Sequence, residues 1–189
     1  MENEDLNKTL LSVYRYLPRV ANAIDKLVKS RAYNSASSCM TNISFNSSEC
    51  VANSILNLSE RKITLINVKI IIEKGLKSMK PSLARVLIWK YIDGLKSSEI
   101  AEKLNICIRS YFRKIKLALS SFEKALFRLG YFEDRILKLI GSEKWIMEVY
   151  NSFGGKIHFE TENIMDNLEF RNKIKNTILV DFKKQARAC

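Results

Sequence analysis

The sequence predicts an all-α fold, and three observations carry that expectation. Only 6 glycines and 2 prolines stand among 189 residues, too few for the many tight turns of a strand-rich fold. Apolar residues recur at spacings of three and four along most of the chain. Hydrophobic residues make up 47% and charged residues 28%, a composition that can bury a core in one or two domains. The shortage of glycine also argues against the Gly-rich loops that cradle nucleotide phosphates.

Leu10, Leu11, Tyr14, Leu17, Val20, Ile24, Leu27 and Val28 give residues 6–31 a helical period. Pro18 is expected to kink that helix or divide it in two. Residues 33–49, rich in Ser and Asn and without a period, read as a mobile connection. A second helix then starts near Ser47 or Ser48, either of which can cap it. Val51, Ile55, Leu58, Leu65, Ile72, Leu76 and Met79 trace its main face, and Ile66 and Ile70 widen it. One helix of about thirty residues and two helices with a break near Ser59 both fit the pattern. So wide an apolar stripe implies packing on the N-terminal helices or on a second copy, so a homodimer is an expectation of the sequence.

Pro81 suits the first turn of the next helix, which continues through Leu83, Val86, Leu87, Trp89 and Tyr91 and ends at Asp93-Gly94. A short segment, Ser97 to Leu104, follows. Asn105 stands where the chain must turn sharply, and Asn tolerates the left-handed conformation better than most residues. The next helix runs from about Ile108 to Leu129, with Gly130 as its stop. Two further helical pieces occupy residues 131–153, the second with Ser142 as a candidate cap. Gly154-Gly155 breaks the pattern, and residues 161–186 can form one more amphipathic helix through Ile164, Leu168, Ile174, Ile178, Leu179 and Phe182.

The net charge is +12 and unevenly spread. Residues 1–60 are neutral, residues 61–130 carry +11, and residues 131–189 carry +1. Three segments follow: N-terminal helices with the linker (1–60), a basic domain (61–130) and a C-terminal helical extension (131–189). An excess of that size in one segment attracts polyanions. Four cysteines without a CxxC pair and a single histidine, His158, do not supply a zinc-ligand pattern, so no metal and no cofactor is expected. A catalytic triad needs a positioned base, and His158 lies beside the glycine break. Glu99/Glu102 and Glu133/Asp134 read as surface charge, so the chain is not expected to be an enzyme. The N-terminus is acidic and lacks a signal-peptide core. The aliphatic cluster Val68–Ile72 is too short to span a bilayer. The expected location is cytoplasmic, with free thiols and no membrane contact.

The helix beginning near Ile108 is the most informative segment. Tyr111, Ile115, Ala118, Leu119 and Phe122 fall on one face at 100° per residue. Arg109, Arg113, Lys116, Ser120 and Lys124 project within roughly 50° of the opposite direction. A short helix, a tight turn and a basic amphipathic helix make the pattern of a helix-turn-helix, whose second helix enters the major groove. The partner this implies is double-stranded DNA.

Residues 79–126 resemble region four of bacterial RNA polymerase sigma factors. The matching pieces are Pro81, the run Tyr91-Ile92-Asp93-Gly94-Leu95, the run Glu99-Ile100-Ala101-Glu102-Lys103-Leu104, the turn Asn105-Ile106, and the helix from Ile108. The resemblance implies a domain that reads promoter DNA and docks on RNA polymerase. By position, Arg109, Ser110, Phe112, Arg113 and Lys116 would be the groove-facing set. Arg109 and Arg113 rank first, because Arg bidentate to guanine is the commonest specific base contact. Lys114 and Lys124 would meet phosphates, and Phe112 would touch thymine methyls or an apolar partner surface. Three positions depart from the family. Lys96 replaces the usual Ser or Thr cap, with Ser97 or Ser98 able to take over; Asn105 replaces Gly; and Cys107, a poor cap, replaces Ser or Thr. Residues 1–60 hold no basic-aromatic cluster of the promoter-melting kind. The layout is similar, more loosely, to small sigma-like regulators of Firmicutes and their phages. The expected function is therefore sequence-specific DNA binding in transcription regulation. The rival expectation is a module that binds RNA polymerase or another protein without reading DNA.

Overall fold

The computed structural model describes residues 2–40 and 48–154, and among these residues every regular element is helical. In chain order they are α1 (Glu2–Val13), α2 (Leu17–Met40), α3 (Ser48–Ser78), α4 (Pro81–Leu87) continued by a π-helical turn (Ile88–Ile92), α5 (Ser97–Lys103), α6 (Ile108–Arg128), α7 (Glu133–Ile140) and α8 (Lys144–Gly154). No helix among the described residues is long and apolar enough to cross a membrane.

Pro18 does divide the first helical stretch. It sits in the first turn of α2, where an absent N–H costs no intrahelical bond. Leu17 N–H donates instead to Tyr14 O at 3.3 Å. Tyr14 in the junction donates its hydroxyl to Glu73 on α3 at 2.8 Å. Partial burial, then that carboxylate, push its pKa up to about 12, so it stays a donor.

Beyond Pro18, the connection expected over residues 33–49 is much shorter. α2 continues to Met40 and α3 begins at Ser48. The Ser/Ala-rich run continues a helix already propagating, which needs one hydrogen bond per added residue and no new nucleus. Residues 41–47 of that expectation, and the helix read over 161–186 with His158, lie outside the described residues. α3 is a single helix, and Ser59 donates its hydroxyl to Ile55 O at 2.9 Å instead of breaking it. Its buried face runs through Leu58, Leu65, Val68, Ile71, Ile72 and Leu76, while Ile66 and Ile70 remain exposed. The stripe is therefore wider on the side of Val68 and Ile71 than on the side the sequence suggested.

One large core takes residues from Leu6 to Phe153, and the charge boundary at residues 60/61 falls inside α3. α1 lies at its centre, packed on α8, α6 and α3. Asn7, Thr9 and Ser12 of α1 are buried as fully as Leu10 and Leu11. Thr9 and Ser12 satisfy their hydroxyls locally, on Asp5 O at 2.7 Å and Lys8 O at 2.6 Å. α3 and α6 approach closely at Gly75, where an added Cβ would stand 2.7 Å from the Phe122 ring. The C-terminal helices are clasped to α3 by Arg61, whose Nε and Nη2 donate to the two oxygens of Glu143 at 2.9 and 2.8 Å. Glu143, not Ser142, is the residue that immediately precedes α8, and its carbonyl accepts from Ile146 N at 3.0 Å.

Candidate nucleic-acid interface

A second, smaller core holds α4, α5 and α6 together. Val86, Ile100, Ala101 and Tyr111 are buried in it, with Trp89, Leu95, Leu104, Ile106, Phe112 and Ile115 packed around them. The chain reaches α5 through Gly94, whose φ of 72° a side chain would strain. The π turn before it follows an i+5 register, with Asp93 N–H donating to Ile88 O at 2.9 Å. Lys96 immediately precedes α5. Its backbone N–H is met by Glu99 Oε2 at 3.0 Å, so Glu99, rather than Ser97 or Ser98, supplies the side-chain cap. Ser97 instead accepts from the buried Lys90 Nζ at 3.3 Å.

The turn between α5 and α6 is built as the sequence anticipates. Asn105 takes φ 51°. Asn105 N–H donates to Glu102 O at 2.9 Å and Ile106 N–H to Ala101 O at 3.0 Å. These two bonds satisfy the last carbonyls of α5 and aim the chain into α6. Gly130, φ 78°, closes the far end of α6 with the same pair of bonds from Gly130 and Tyr131.

Between those two stops, α6 separates its faces cleanly. Tyr111, Ala118, Leu119 and Phe122 are buried and Ile115 is half-buried. Arg109, Arg113, Lys116, Ser120 and Lys124 are all exposed, as is Ser110. Four cations thus share the outward ridge of a helix whose inner face is held by both cores. Lys114 is half-buried on one flank. Phe112 does not stand on the ridge. Its ring is half-buried against the small core and meets Tyr111 edge to face, with centroids 5.1 Å apart. Packing holds the ring because the helical spacing places Phe112 between seam and ridge.

Cys107 immediately precedes α6. Its exposed Sγ lies 3.2 Å from Ser110 Oγ. That hydroxyl, then the Ser110 backbone, hold the thiol below its ordinary pKa.

Three features of this surface went unread in the sequence. Leu117 is 60% exposed on the outward side of α6, beside Arg113 and Ser120. Its position on the same helical wheel could have revealed it. Arg85 on α4 and Lys103 on α5 lie 6.0 and 5.9 Å from the Trp89 ring centroid, a pairing of cations on an aromatic face that spacing cannot show. Past the ridge, the exposed rings of Phe127 and Phe132 meet edge to face beside a cleft of about 580 Å³, which Lys124 also borders. No protein-family model, curated protein or solved structure matches the chain.

Proposed function

We propose that the protein is a sequence-specific DNA-binding regulator of transcription, sigma-factor-like, that lays α6 in the major groove. The carrying observation is the exposed ridge of Arg109, Arg113, Lys116 and Lys124 on a helix whose opposite face is anchored in two cores. A ridge so fixed presents its cations without paying much ordering entropy on contact. The tight turn at Asn105, the +11 charge of residues 61–130 and the resemblance of residues 79–126 to sigma region four support the same reading.

On this reading Arg109 and Arg113 meet base edges, with Ser110 and Lys116 beside them. Lys114 and Lys124 bind phosphates, and Phe112 supports the helix from its flank. It is a binding protein and not an enzyme, and it acts in the cytoplasm. The Leu56, Ile63, Ile66 and Ile70 stripe left exposed on α3 would join two copies, giving paired ridges for paired half-sites. One observation favours a second reading, an RNA polymerase-binding or other protein-interaction module. Phe127, Leu129 and Phe132 form an exposed apolar patch of the kind that meets proteins.

In vitro selection of bound duplexes at two salt concentrations, with and without polymerase, tests the proposal. The expected result is an enriched motif without polymerase. Arg113→Ala should relax one position of it and weaken binding there by about 1–3 kcal/mol. Absence of any enriched motif at either salt concentration would overturn sequence-specific regulation.

A further inference from the structure

A leucine in the middle of a cationic ridge calls for a chemical reason. Leu117 stands one helical turn beyond Arg113 and one turn before Ser120 and Ser121, and it is 60% exposed. An isolated surface leucine needs no explanation. This one occupies the surface that the proposed function would press against a duplex, where its neighbours are chosen for hydrogen bonding. A leucine there cannot pair with a base-edge donor or acceptor, and pressing it on one would leave that group desolvated and unsatisfied. The major-groove edge of DNA offers an apolar group in the C5-methyl of thymine.

We propose that Leu117 is a specificity-determining residue that reads a thymine methyl group in the major groove. The inference rests on the DNA-binding reading and adds a base identity to it. Of the other apolar residues near the start of α6, Phe112 is held against Tyr111 and the small core, and Ile108, though exposed, falls on the side of Tyr111 and Phe122 and not on the ridge. Phe127 lies about 27 Å along the helix from Arg109, past the reach of a groove that α6 enters by its N-terminal half. Leu117 lies about 6 Å along the axis from Arg113, a span of about two base steps. The thymine it reads should therefore stand within about two base pairs of the guanine bound by Arg113.

The test uses the full chain and the duplex obtained by selection. Each thymine in turn is replaced by deoxyuracil, which removes the methyl group and leaves every hydrogen-bonding group in place. Affinities of the wild type and of Leu117→Ala are measured on each duplex. The wild type should lose about fourfold at one thymine near the Arg113 guanine, the worth of one buried methyl group. Leu117→Ala should bind the parent duplex more weakly and be indifferent to uracil at that position. Because Leu117 is exposed, its truncation leaves folding intact, which the unfolding temperature verifies. Equal wild-type affinity on every uracil duplex overturns the proposal, as does an unchanged methyl preference in Leu117→Ala. Loss of polymerase binding with full DNA affinity assigns the side chain to a protein contact and overturns it too. A wild type that binds no duplex specifically fails the DNA-binding reading itself, whereas specific binding without methyl dependence fails Leu117 alone.

Discussion

Arg61 and Glu143 show how much one pair can decide. The Glu143 side chain is fully buried, takes two bonds from Arg61 and a third from Trp145 Nε1 at 3.1 Å. Every oxygen is met, which is what lets a carboxylate remain in a core. Removing the arginine strands that charge. Arg61→Ala should lower stability by about 3–5 kcal/mol in chemical unfolding, and an unchanged midpoint would show that water replaces the guanidinium at no cost. Eighty-two positions separate the two residues, so no local pattern could pair them. Cys107 offers a test of a different kind. Its depressed pKa means more thiolate at a given pH, hence faster alkylation. Residue-resolved alkylation of Cys107 should reach half its maximal rate at a lower pH than that of an unperturbed thiol such as free cysteine. Ser110→Ala should move that pH upward. Bound duplex should shield Cys107, at the head of α6, and leave Cys50 reactive; equal shielding of both would place the DNA elsewhere.

Among the elements, α6 was the most legible and the approach of α3 to it the least. A seam and a ridge on opposite sides of one long amphipathic helix are written in residue spacing, and the turn residue Asn105 before it and its stop at Gly130 are written in residue type. The π turn after α4 left no such mark, because an i+5 register is a choice of backbone bond and not of side-chain type. The end of α2 at Met40 leaves no mark for a related reason. Ser and Ala carry no period, yet they extend a helix without strain. Glycine inside a helix ordinarily weakens it, but the missing Cβ of Gly75 is what admits Phe122 and Leu126 to α3. Both of those side chains are buried and have nowhere to move. Gly75→Val should therefore destabilise the protein by about 1–3 kcal/mol, although valine outranks glycine in helix propensity. A stabilised variant, measured by thermal unfolding, would mean that α3 and α6 are free to separate.

At the scale of the whole molecule, the division of charge and the division of the core differ. The excess lies between residues 61 and 130, but the large core draws on α1, α2, α3, α4 with its π turn, α6, α7 and α8. Composition showed the first and could not show the second. The centrality of α1 was hidden by Asn7, Thr9 and Ser12, which resemble surface residues in sequence although all three are buried, Thr9 and Ser12 with their hydroxyls on backbone carbonyls. The consequence is a rigid mount: the cationic ridge is fixed to the bulk of the chain through α1 and α3 as well as through its own small core. On the proposed function this ridge, and not the net charge of +12, binds the duplex. The direct measurement is the affinity of the selected duplex for two variants that change the total charge equally. One carries Arg109→Glu and Arg113→Glu on α6, and the other carries Lys26→Glu and Lys29→Glu on the exposed side of α2. Binding by the ridge should be weakened on the order of a hundredfold in the α6 variant and by no more than about threefold in the α2 variant. Equal losses in the two, or an α6 variant that binds as the wild type does, would contradict it.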